Sequence, residues 1–329
     1  GVVRYVRAMQ GQARVHPLYL PTQASGRWST TDPPLTNFPP DCIAPTCARA
    51  GTEHGCVTPE CWSARDTIGP DEGFWWLHFD LDAVEARLAA ADAGDQDDLQ
   101  AFKNKWDIHT LTACRMFGML LPPVLGKALH TAPECTEWRA AWNPPWSGGE
   151  DRRRHIAKTL RYATQYLVNV KGVLSAKDIE KLGLTPKELV KFATQYLKSK
   201  PTLMARKEQV WADVAKSGVS YTWLGRRRRF YGDWASRAKE GWAHRISGTV
   251  TDLQNAALIA LDQAFPECRM CLNSHDGLTL AFPETTPVER VLEFAKPLVE
   301  RGVTSPTGHT VPITASWEVT TADLQKRAV

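Results

Sequence analysis

Apolar residues follow one another without a break over positions 74–79, a pattern typical of a buried strand. Residues 84–91, which contain four alanines and a leucine, continue as a predicted helix. The proline-rich stretch 14–40 is expected to be extended. The apolar run therefore predicts a core strand, and that strand ends at Asp80.

The clearest hairpin pattern lies within residues 270–282, where two apolar runs flank a turn that contains Asp276 and Gly277. Asp-Gly is favoured where a tight turn needs positive φ angles. Two paired strands are therefore predicted here. A helix over 287–302 and a closing strand over 310–319 are expected to follow.

A strongly basic helix is predicted from 151 to 168, with Asp151 as an acidic residue at its N-terminus. Arg154, Lys158 and Arg161 fall at positions i, i+4 and i+7 of this segment. Side chains at that spacing share one face of a helix. The pattern predicts a cationic stripe, although an ordinary solvated basic helix has the same spacing.

Charge is nearly balanced over the 329 residues, with 40 lysines and arginines against 36 acids and a net charge of +4. The basic residues are nevertheless clustered at 152–161 and 226–229, whereas 92–98 is acidic. Local basic patches on a nearly neutral protein suit a phosphate backbone held in a cleft. Two solvated helix faces are the alternative.

The overall composition is that of a globular protein, with 43% hydrophobic and 23% charged residues. No stretch reaches the roughly 18 apolar residues of a membrane span. The first residue is Gly rather than Met, and no secretory signal is recognisable. We therefore expect no membrane partner.

Four of the eight cysteines lie close together in the pattern C-x4-C-x8-C-x4-C. Four thiolates can close a tetrahedron around zinc, so a structural Zn²⁺ site is one hypothesis. Disulfides or unligated thiols in a loop are the alternatives. The four residues are Cys42, Cys47, Cys56 and Cys61.

Phosphoryl transfer to a sugar hydroxyl needs carboxylates that hold two metal ions ~4 Å apart and cations that neutralise a triphosphate. Asp80, at a strand end, and Asp276, at a hairpin tip, are candidate carboxylates. The basic helix offers the cations. Taken alone, Asp276 followed by Gly277 is also what a plain turn looks like.

Seven motifs in chain order resemble those of the family A (polymerase I type) DNA polymerases. D-L-D-A-V-E-A-R from Asp80 resembles the family's D-Y-S-Q-I-E-L-R, and S-H-D-G around Asp276 resembles V-H-D-E. R-x3-K-x3-Y-x3-Y from Arg154 resembles the fingers helix. The other matches are S-G-R-W-S-T-T-D-P-P-L-T-N-F-P at 25–39, D-I-H-T at 107–110, Y-T-W-L-G-R-R-R-R at 221–229 and S-G-T-V-T-D at 247–252.

The resemblance implies an α+β fold, in which an antiparallel palm sheet is backed by helices and a helical fingers subdomain is inserted. The implied divisions are an N-terminal primer–template segment of the palm (1–40), a Cys-rich insert (41–63), palm (64–115), fingers (116–245) and palm again (246–329).

The function implied is template-directed addition of deoxynucleotides to a primer 3′-hydroxyl, with primer–template DNA and dNTPs as partners and two Mg²⁺ (or Mn²⁺) as cofactors. Asp80 and Asp276 would be the catalytic metal ligands. The implied nucleotide-binding residues are Arg154, Lys158, Tyr162, Glu85, His109 and Leu81. The implied template and primer contacts are Arg27, Asn37, Tyr166, Arg226 and His275.

Two of these residues bear on substrate choice by resemblance. Glu85 occupies the position that blocks a ribose 2′-hydroxyl, together with the ring of Tyr162. A tyrosine rather than a phenylalanine at 162 implies easier acceptance of chain terminators.

Several family residues are replaced here, which puts rate and fidelity in doubt more than reaction class. The acid expected after the hairpin Asp is missing, as is the glutamine expected at 247. The replacements are Gly277, Ser247, Ala163, Leu167, Pro34 and Leu81.

Family members usually carry a thumb and an exonuclease domain before this region, and no acidic exonuclease constellation is recognisable here. We therefore expect no proofreading by this chain, with the other parts on a separate chain or segment. A cytoplasmic location in a bacterium, or a phage origin, is also implied. A single-subunit RNA polymerase and a non-catalytic nucleic-acid-binding palm remain alternatives.

Overall fold

The structure is a computed structural model. It describes residues 16–20, 23, 27–31, 35, 68–124, 126, 129, 132–141, 151–166, 185–274, 276–321 and 326–328, without the side chains of 166, 234–236 and 326–328. Among these residues, no helix is both long enough and apolar enough to cross a membrane.

Strands and helices are interspersed along the described chain. The strands are β1 (Leu18–Leu20), β2 (Ser29–Thr31), β3 (Phe74–Leu81), β4 (Val219–Tyr221), β5 (Arg227–Arg229), β6 (Arg269–Ser274), β7 (Gly277–Pro283), β8 (Gly302–Thr304), β9 (Thr310–Pro312), β10 (Ala315–Thr320) and β11 (Lys326–Ala328). The α-helices are α1 (Val84–Ala93), α2 (Gln96–Lys103), α3 (Ile108–Phe117), α4 (Thr136–Ala141), α5 (Arg152–Tyr166), α6 (Pro186–Lys198), α7 (Pro201–Ser217), α8 (Trp234–Ala264) and α9 (Val288–Val299).

The chain divides into two compact units. The first consists of Gly1–Val84, Ser247–Arg301 and Ile313–Val329, and the second of Glu85–Ile246 and Gly302–Pro312. Helix α8 begins in the second unit and ends in the first. The palm and fingers boundaries are assignments of function, and they stay a prediction.

A five-stranded antiparallel sheet forms the centre of the first unit, in the order β11-β10-β3-β7-β6. Burial alternates along β3, so Leu77 and Phe79 are fully buried while Asp80 is exposed. Alternation places successive side chains on opposite faces of a sheet. The predicted strand is confirmed, but only one of its faces is fully buried.

The second unit is mainly helical. Its core joins α3, α4, α5 and α6 through small and apolar side chains. These are Ala113, Cys114, Met116, Leu129, Cys135, Trp138, Ile156, Ala157, Leu160, Leu189, Ala193 and Tyr196. Two short hairpins, β4–β5 and β8–β9, complete the unit. With the antiparallel sheet of the first unit, this confirms the α+β fold class.

Other predicted elements agree in kind with the structure. The hairpin over 270–282 is β6–β7, and the helix over 287–302 is α9. The single closing strand over 310–319 is wrong, because β9 pairs with β8 whereas β10 pairs with β3. Proline lacks the N–H that a continuous ladder needs, and β9 ends at Pro312.

Candidate active site

The two aspartates predicted as metal ligands lie close together in the central sheet, Asp80 on β3 and Asp276 in the turn that leads into β7. Asp80 on β3 lies opposite Gly277, the residue that follows Asp276. The backbone N–H of Leu81 donates a hydrogen bond of 3.0 Å to the carbonyl of Asp276. Asp80 is exposed and the Asp276 side chain is 30% exposed, so solvent reaches both carboxylates.

Local sequence explains this convergence. The buried side chains of β3 hold that strand in the middle of the sheet, and Asp80 extends beyond them near its end. Ser274 pairs with Gly277 across the hairpin, so Asp276 lies in the turn between β6 and β7. Antiparallel pairing of β3 with β7 then brings the strand end to the turn.

The reason predicted for Gly277 is wrong. It is the first residue of β7 rather than a turn residue, and its φ angle is not in the left-handed region. A Cβ atom there would lie 3.0 Å from the carbonyl oxygen of Phe79 and 3.1 Å from Oδ1 of Asp80. Glycine is therefore required by the close approach of β3 and not by a positive φ angle.

Arg27 binds the second of the two carboxylates. Its Nη2 donates to Oδ1 of Asp276 at 2.7 Å. Arg27 immediately precedes Trp28 and strand β2, and the Trp28 ring packs edge-on against Tyr19. The Tyr19 hydroxyl in turn donates to the carbonyl of Cys271 and accepts from the N–H of Asn273 on β6. The β1–β2 hairpin is thus tied to the strand that leads into the Asp276 turn.

The carboxylates fit the oxygen ligands that Mg²⁺ prefers. An arginine already paired with Asp276 shows that this position attracts a cation. Within the described part of the chain, no three His, Cys, Asp or Glu side chains come together as a metal-binding group. Mg²⁺ commonly keeps several waters and substrate phosphates as ligands, so two protein carboxylates are a compatible donor set.

The predicted zinc ligands Cys42, Cys47, Cys56 and Cys61 lie outside the described residues, as do Asn37 and His275. Tyr166 ends α5, but its side chain is not described. Cysteines of the described part include free thiols at Cys114, Cys135, Cys268 and Cys271.

Helix α5 in the second unit carries the predicted triphosphate-binding residues. Arg154 makes a two-pronged ion pair with Asp107, through Nε at 2.7 Å and Nη2 at 3.1 Å. Asp107 also caps α3 by accepting from the N–H groups of His109 and Thr110. Burial opposes ionisation of Asp107, but the hydrogen bonds and charge of Arg154 outweigh it and lower its pKa. Arg154 is therefore already oriented by an acid.

Lys158 and Tyr162 lie further along α5. Lys158 is exposed and Tyr162 is half-buried, with its ring centroid 5.7 Å from that of His109. Burial and the nearby charge of Arg161 lower the pKa of His109 to about 3. His109 is therefore neutral near pH 7, so that its ring can take part in hydrogen bonds but carries no charge.

The predicted cationic stripe is wrong at Arg161. This side chain is buried, and its Nη2 donates to Oδ2 of Asp98 at 2.5 Å while Nη1 donates to the Thr112 hydroxyl at 3.1 Å. Helical spacing alone does not indicate which edge of a stripe turns towards the core. Asp98, which the sequence presents as part of an acidic stretch, is the buried partner that turns Arg161 inward.

The remaining candidates lie in both units. Leu81 is buried at the end of β3, and Arg226 is half-buried just before β5. Glu85 is buried in the first turn of α1, and its backbone carbonyl accepts from Nε2 of Gln165 on α5. Sequence reasoning missed Lys207, which is buried and donates to the carbonyl of Thr164 near the end of α5.

Comparisons with known proteins show similarity to DNA polymerases. The model of the family described as DNA polymerase family A matches residues 2–126. The thermostable DNA polymerase I of Thermus filiformis is 29% identical over 294 residues, covering 84% of this chain and 29% of that protein. DNA polymerase I of Pseudomonas aeruginosa is 28% identical over 304 residues, covering 88% and 28%. The chain thus spans less than a third of the length of these relatives.

A solved structure shows the same fold. The POL domain of Pol1 from M. smegmatis, in complex with DNA primer-template and dNTP, has a TM-score of 0.68 and covers 96% of this chain and 49% of that one. At 20% identity this likeness bears on the fold alone. The family match over residues 2–126 and the polymerase I relatives show that the chain is similar to the family A DNA polymerases, and the solved structure has a similar fold.

Proposed function

We propose that the chain is a DNA-directed DNA polymerase that adds deoxynucleotides to a primer 3′-hydroxyl. The observation that carries the proposal is the pairing of β3 with β7, which brings Asp80 next to the Asp276 turn on a rigid sheet. Relatives named DNA polymerase I support the same reaction class. No acidic exonuclease constellation is recognisable in the 329 residues, so the proposal includes no proofreading by them.

Asp80 and Asp276 would hold two Mg²⁺ or Mn²⁺ ions. When bound, such ions lower the pKa of the attacking hydroxyl and stabilise the leaving pyrophosphate. Asp80 is on a strand and Asp276 is in the short turn between two paired strands, which restricts their positions more than a long loop would. Zn²⁺ bound by the four clustered cysteines is a separate proposal, and metal analysis of the purified chain tests it directly.

The second unit would bind the incoming nucleotide. Lys158 would neutralise phosphate charge as the bond breaks, and Arg154 would do so from its Asp107-oriented position. His109 would add a neutral hydrogen bond, and Leu81 is also among the proposed nucleotide-binding residues. Glu85 with Tyr162 would exclude a ribose 2′-hydroxyl.

Primer–template DNA would be held by residues from several of the matched motifs. These are Arg27, Asn37, Tyr166, Arg226 and His275. Cationic contacts with phosphates release counterions, so we expect affinity for DNA to fall steeply as salt rises. In this proposal 1–40, 64–115 and 246–329 act as palm and 116–245 acts as fingers.

Primer extension by the isolated chain tests the proposal. We expect Mg²⁺-dependent extension with dNTPs and far less with rNTPs. Equal use of rNTPs would favour a single-subunit RNA polymerase. DNA binding without any extension would favour a non-catalytic palm module, an alternative that the missing acid at Gly277 keeps open.

Gly277→Ala is expected to lower the rate of extension about tenfold. Displacement of a catalytic group by about 1 Å can reduce the rate by about 100-fold, and a smaller displacement is expected here. The added Cβ would press on Oδ1 of Asp80 and on the Phe79 backbone. Single-turnover extension measures the effect. Gly126→Ala is the matched control, since its Cβ would meet its nearest neighbour, the Lys105 carbonyl, at an ordinary 3.8 Å. Equal rates for both variants would contradict the prediction.

Tyr162→Phe is expected to reduce incorporation of 2′,3′-dideoxynucleotides relative to dNTPs by about tenfold, roughly one hydrogen bond of ~1.4 kcal/mol. The Tyr162 hydroxyl can replace the hydrogen bond that a terminator lacking its 3′-hydroxyl cannot make. Competition between ddNTP and dNTP in primer extension gives the ratio. Tyr231→Phe, at an exposed position of the same unit, should leave the ratio unchanged.

A further inference from the structure

A buried cluster of charges lies directly behind the helix that carries Lys158 and Tyr162. Asp98 on α2 is its centre. Its Oδ2 accepts from Arg161 of α5, and its Oδ1 accepts from the Nζ of Lys200, just before α7. Lys200 also donates to Asp95 at 2.9 Å. All four side chains are buried, and a third cation, Arg115 on α3, approaches Oδ1 of Asp98 at 3.5 Å from a partly exposed position.

Arg161 contacts three other helices, two of them through hydrogen bonds. Its guanidinium binds Asp98 on α2 and the hydroxyl of Thr112 on α3, and it lies over the ring of Tyr196 on α6 at 5.9 Å. Burial opposes ionisation of Asp98, but Arg161 and Lys200 outweigh it and hold its pKa well below the usual range. Asp98 is therefore ionised at neutral pH and stays paired with Arg161.

Stability is a poor explanation for such a cluster. The cost of taking charges out of water often cancels their attraction, so apolar side chains of similar size can be equally stabilising. A guanidinium with fixed hydrogen-bond partners on two neighbouring helices instead restricts the rotation of its own helix, α5. If α5 rotated about its axis, both hydrogen bonds of Arg161 would break.

Arg161 lies close to Lys158 and Tyr162 around the axis of α5. At about 100° per residue, Arg161 is rotated about 60° from Lys158 and about 100° from Tyr162. It lies at the edge of the buried face, next to the face that carries those two residues. The far end of α5 is held as well, where Lys207 donates to the Thr164 carbonyl at 2.8 Å.

We propose that Arg161 is a positioning residue for nucleotide binding: its buried pair with Asp98 fixes the rotation of α5 and so holds Lys158 and Tyr162 in place. The inference rests on the proposed function of α5. It assigns to Arg161 no contact with substrate, and it predicts that nucleotide binding, and not DNA binding, depends on the pair.

Arg161→Met tests the proposal, because it keeps the volume of the side chain and removes both directional bonds. We expect KM for dNTP to rise about tenfold, in keeping with the large effects of small misplacements. The Kd for primer–template should stay within about twofold. Incorporation of ddNTP relative to dNTP should also change, because Tyr162 is displaced. Arg161→Lys, which retains the charge, should recover part of the loss in KM.

A second pair of variants separates positioning from stability. Arg206→Met removes an arginine from the Asp92 ion pair in the same unit, and it should lower the melting temperature without raising KM for dNTP. If Arg161→Met does not fold, the double variant Arg161→Met/Asp98→Asn takes its place in the comparison, because it removes one charge of each sign. The proposal would be overturned if the Arg161 and Arg206 variants raised KM for dNTP equally. It would also be overturned if Arg161→Met weakened primer–template binding as much as it raised KM for dNTP.

Equilibrium binding of dATP to the chain distinguishes failure of the positioning role from failure of the proposed polymerase function. A wild type that binds dATP but extends no primer would refute polymerase activity, while weaker dATP binding by Arg161→Met would still support the positioning role. A wild type that binds no dATP would overturn both.

Discussion

Asp276→Asn is expected to reduce primer extension at least ~10³-fold, because the proposed metal ions would supply several kcal/mol of transition-state stabilisation and a neutral amide would bind them far more weakly. The change is nearly isosteric, so the β6–β7 turn should be preserved. Single-turnover extension with Mg²⁺ gives the rate, and fluorescence anisotropy gives the affinity for primer–template, which should stay within a few-fold of wild type.

Two companion variants separate loss of the metal site from loss of the Arg27 ion pair and from a general effect of removing an acid. Asp276 also pairs with Arg27, so Asp80→Asn, which leaves that pair in place, should cause a loss of similar size. Asp82→Asn is the control for a nearby acid. Its carboxylate accepts from the hydroxyls of Thr314 and Ser316, and we expect at most a few-fold change in rate. If Asp276→Asn retained a tenth of wild-type activity, the dinuclear site would be refuted.

Metal binding offers a readout that is independent of turnover. Mn²⁺ titration followed by electron paramagnetic resonance should show weaker binding for Asp80→Asn and Asp276→Asn than for Asp82→Asn. Equal Mn²⁺ affinity in all three variants would exclude Asp80 and Asp276 as ligands, whatever the effect on extension.

Local patterns were sufficient to predict the strand that ends at Asp80 and the hairpin that contains Asp276. Both patterns depend on neighbouring residues, as an unbroken apolar run and a pair of apolar runs around Asp-Gly. The pairing of β3 with β7 depends on residues distant in sequence, and only the family resemblance anticipated it. The crowding at Gly277 is a product of that pairing, which is why sequence alone assigned the glycine to the turn.

The buried charges of the second unit were the largest omission. Asp92, Asp95 and Asp98 belong to a stretch that looks like a solvated acidic segment, and their partners lie far along the chain. An aspartate at the surface and an aspartate in a buried ion pair are the same residue in the sequence, so composition cannot distinguish them. Helical spacing placed Arg161 on the correct helix but could not show that its neighbour Asp98 draws it into the core.

Asp92→Asn is expected to destabilise the second unit by about 3–5 kcal/mol, the usual cost of removing one partner from a buried ion pair. The Asp92 carboxylate is fully buried and accepts hydrogen bonds from Arg206 on α7 and from Arg245 on α8. It therefore joins α1 to two other helices of the unit. Without its charge, two arginines that are largely buried would lack their counter-ion. At about 2–4 °C per kcal/mol, the melting temperature should fall by roughly 10 °C.

Asp97→Asn is the matched control, five residues away and of the same chemistry. Its side chain is 69% exposed and pairs with Arg115 at 2.9 Å, so solvent screening limits the expected loss to about 0.5 kcal/mol. Urea unfolding of both variants gives the two free energies. Adding Arg245→Met to Asp92→Asn should restore part of the stability, since one uncompensated charge is then removed. Equal destabilisation by Asp92→Asn and Asp97→Asn, or no recovery in the double variant, would show that burial of the Asp92 ion pair does not determine the stability of this unit.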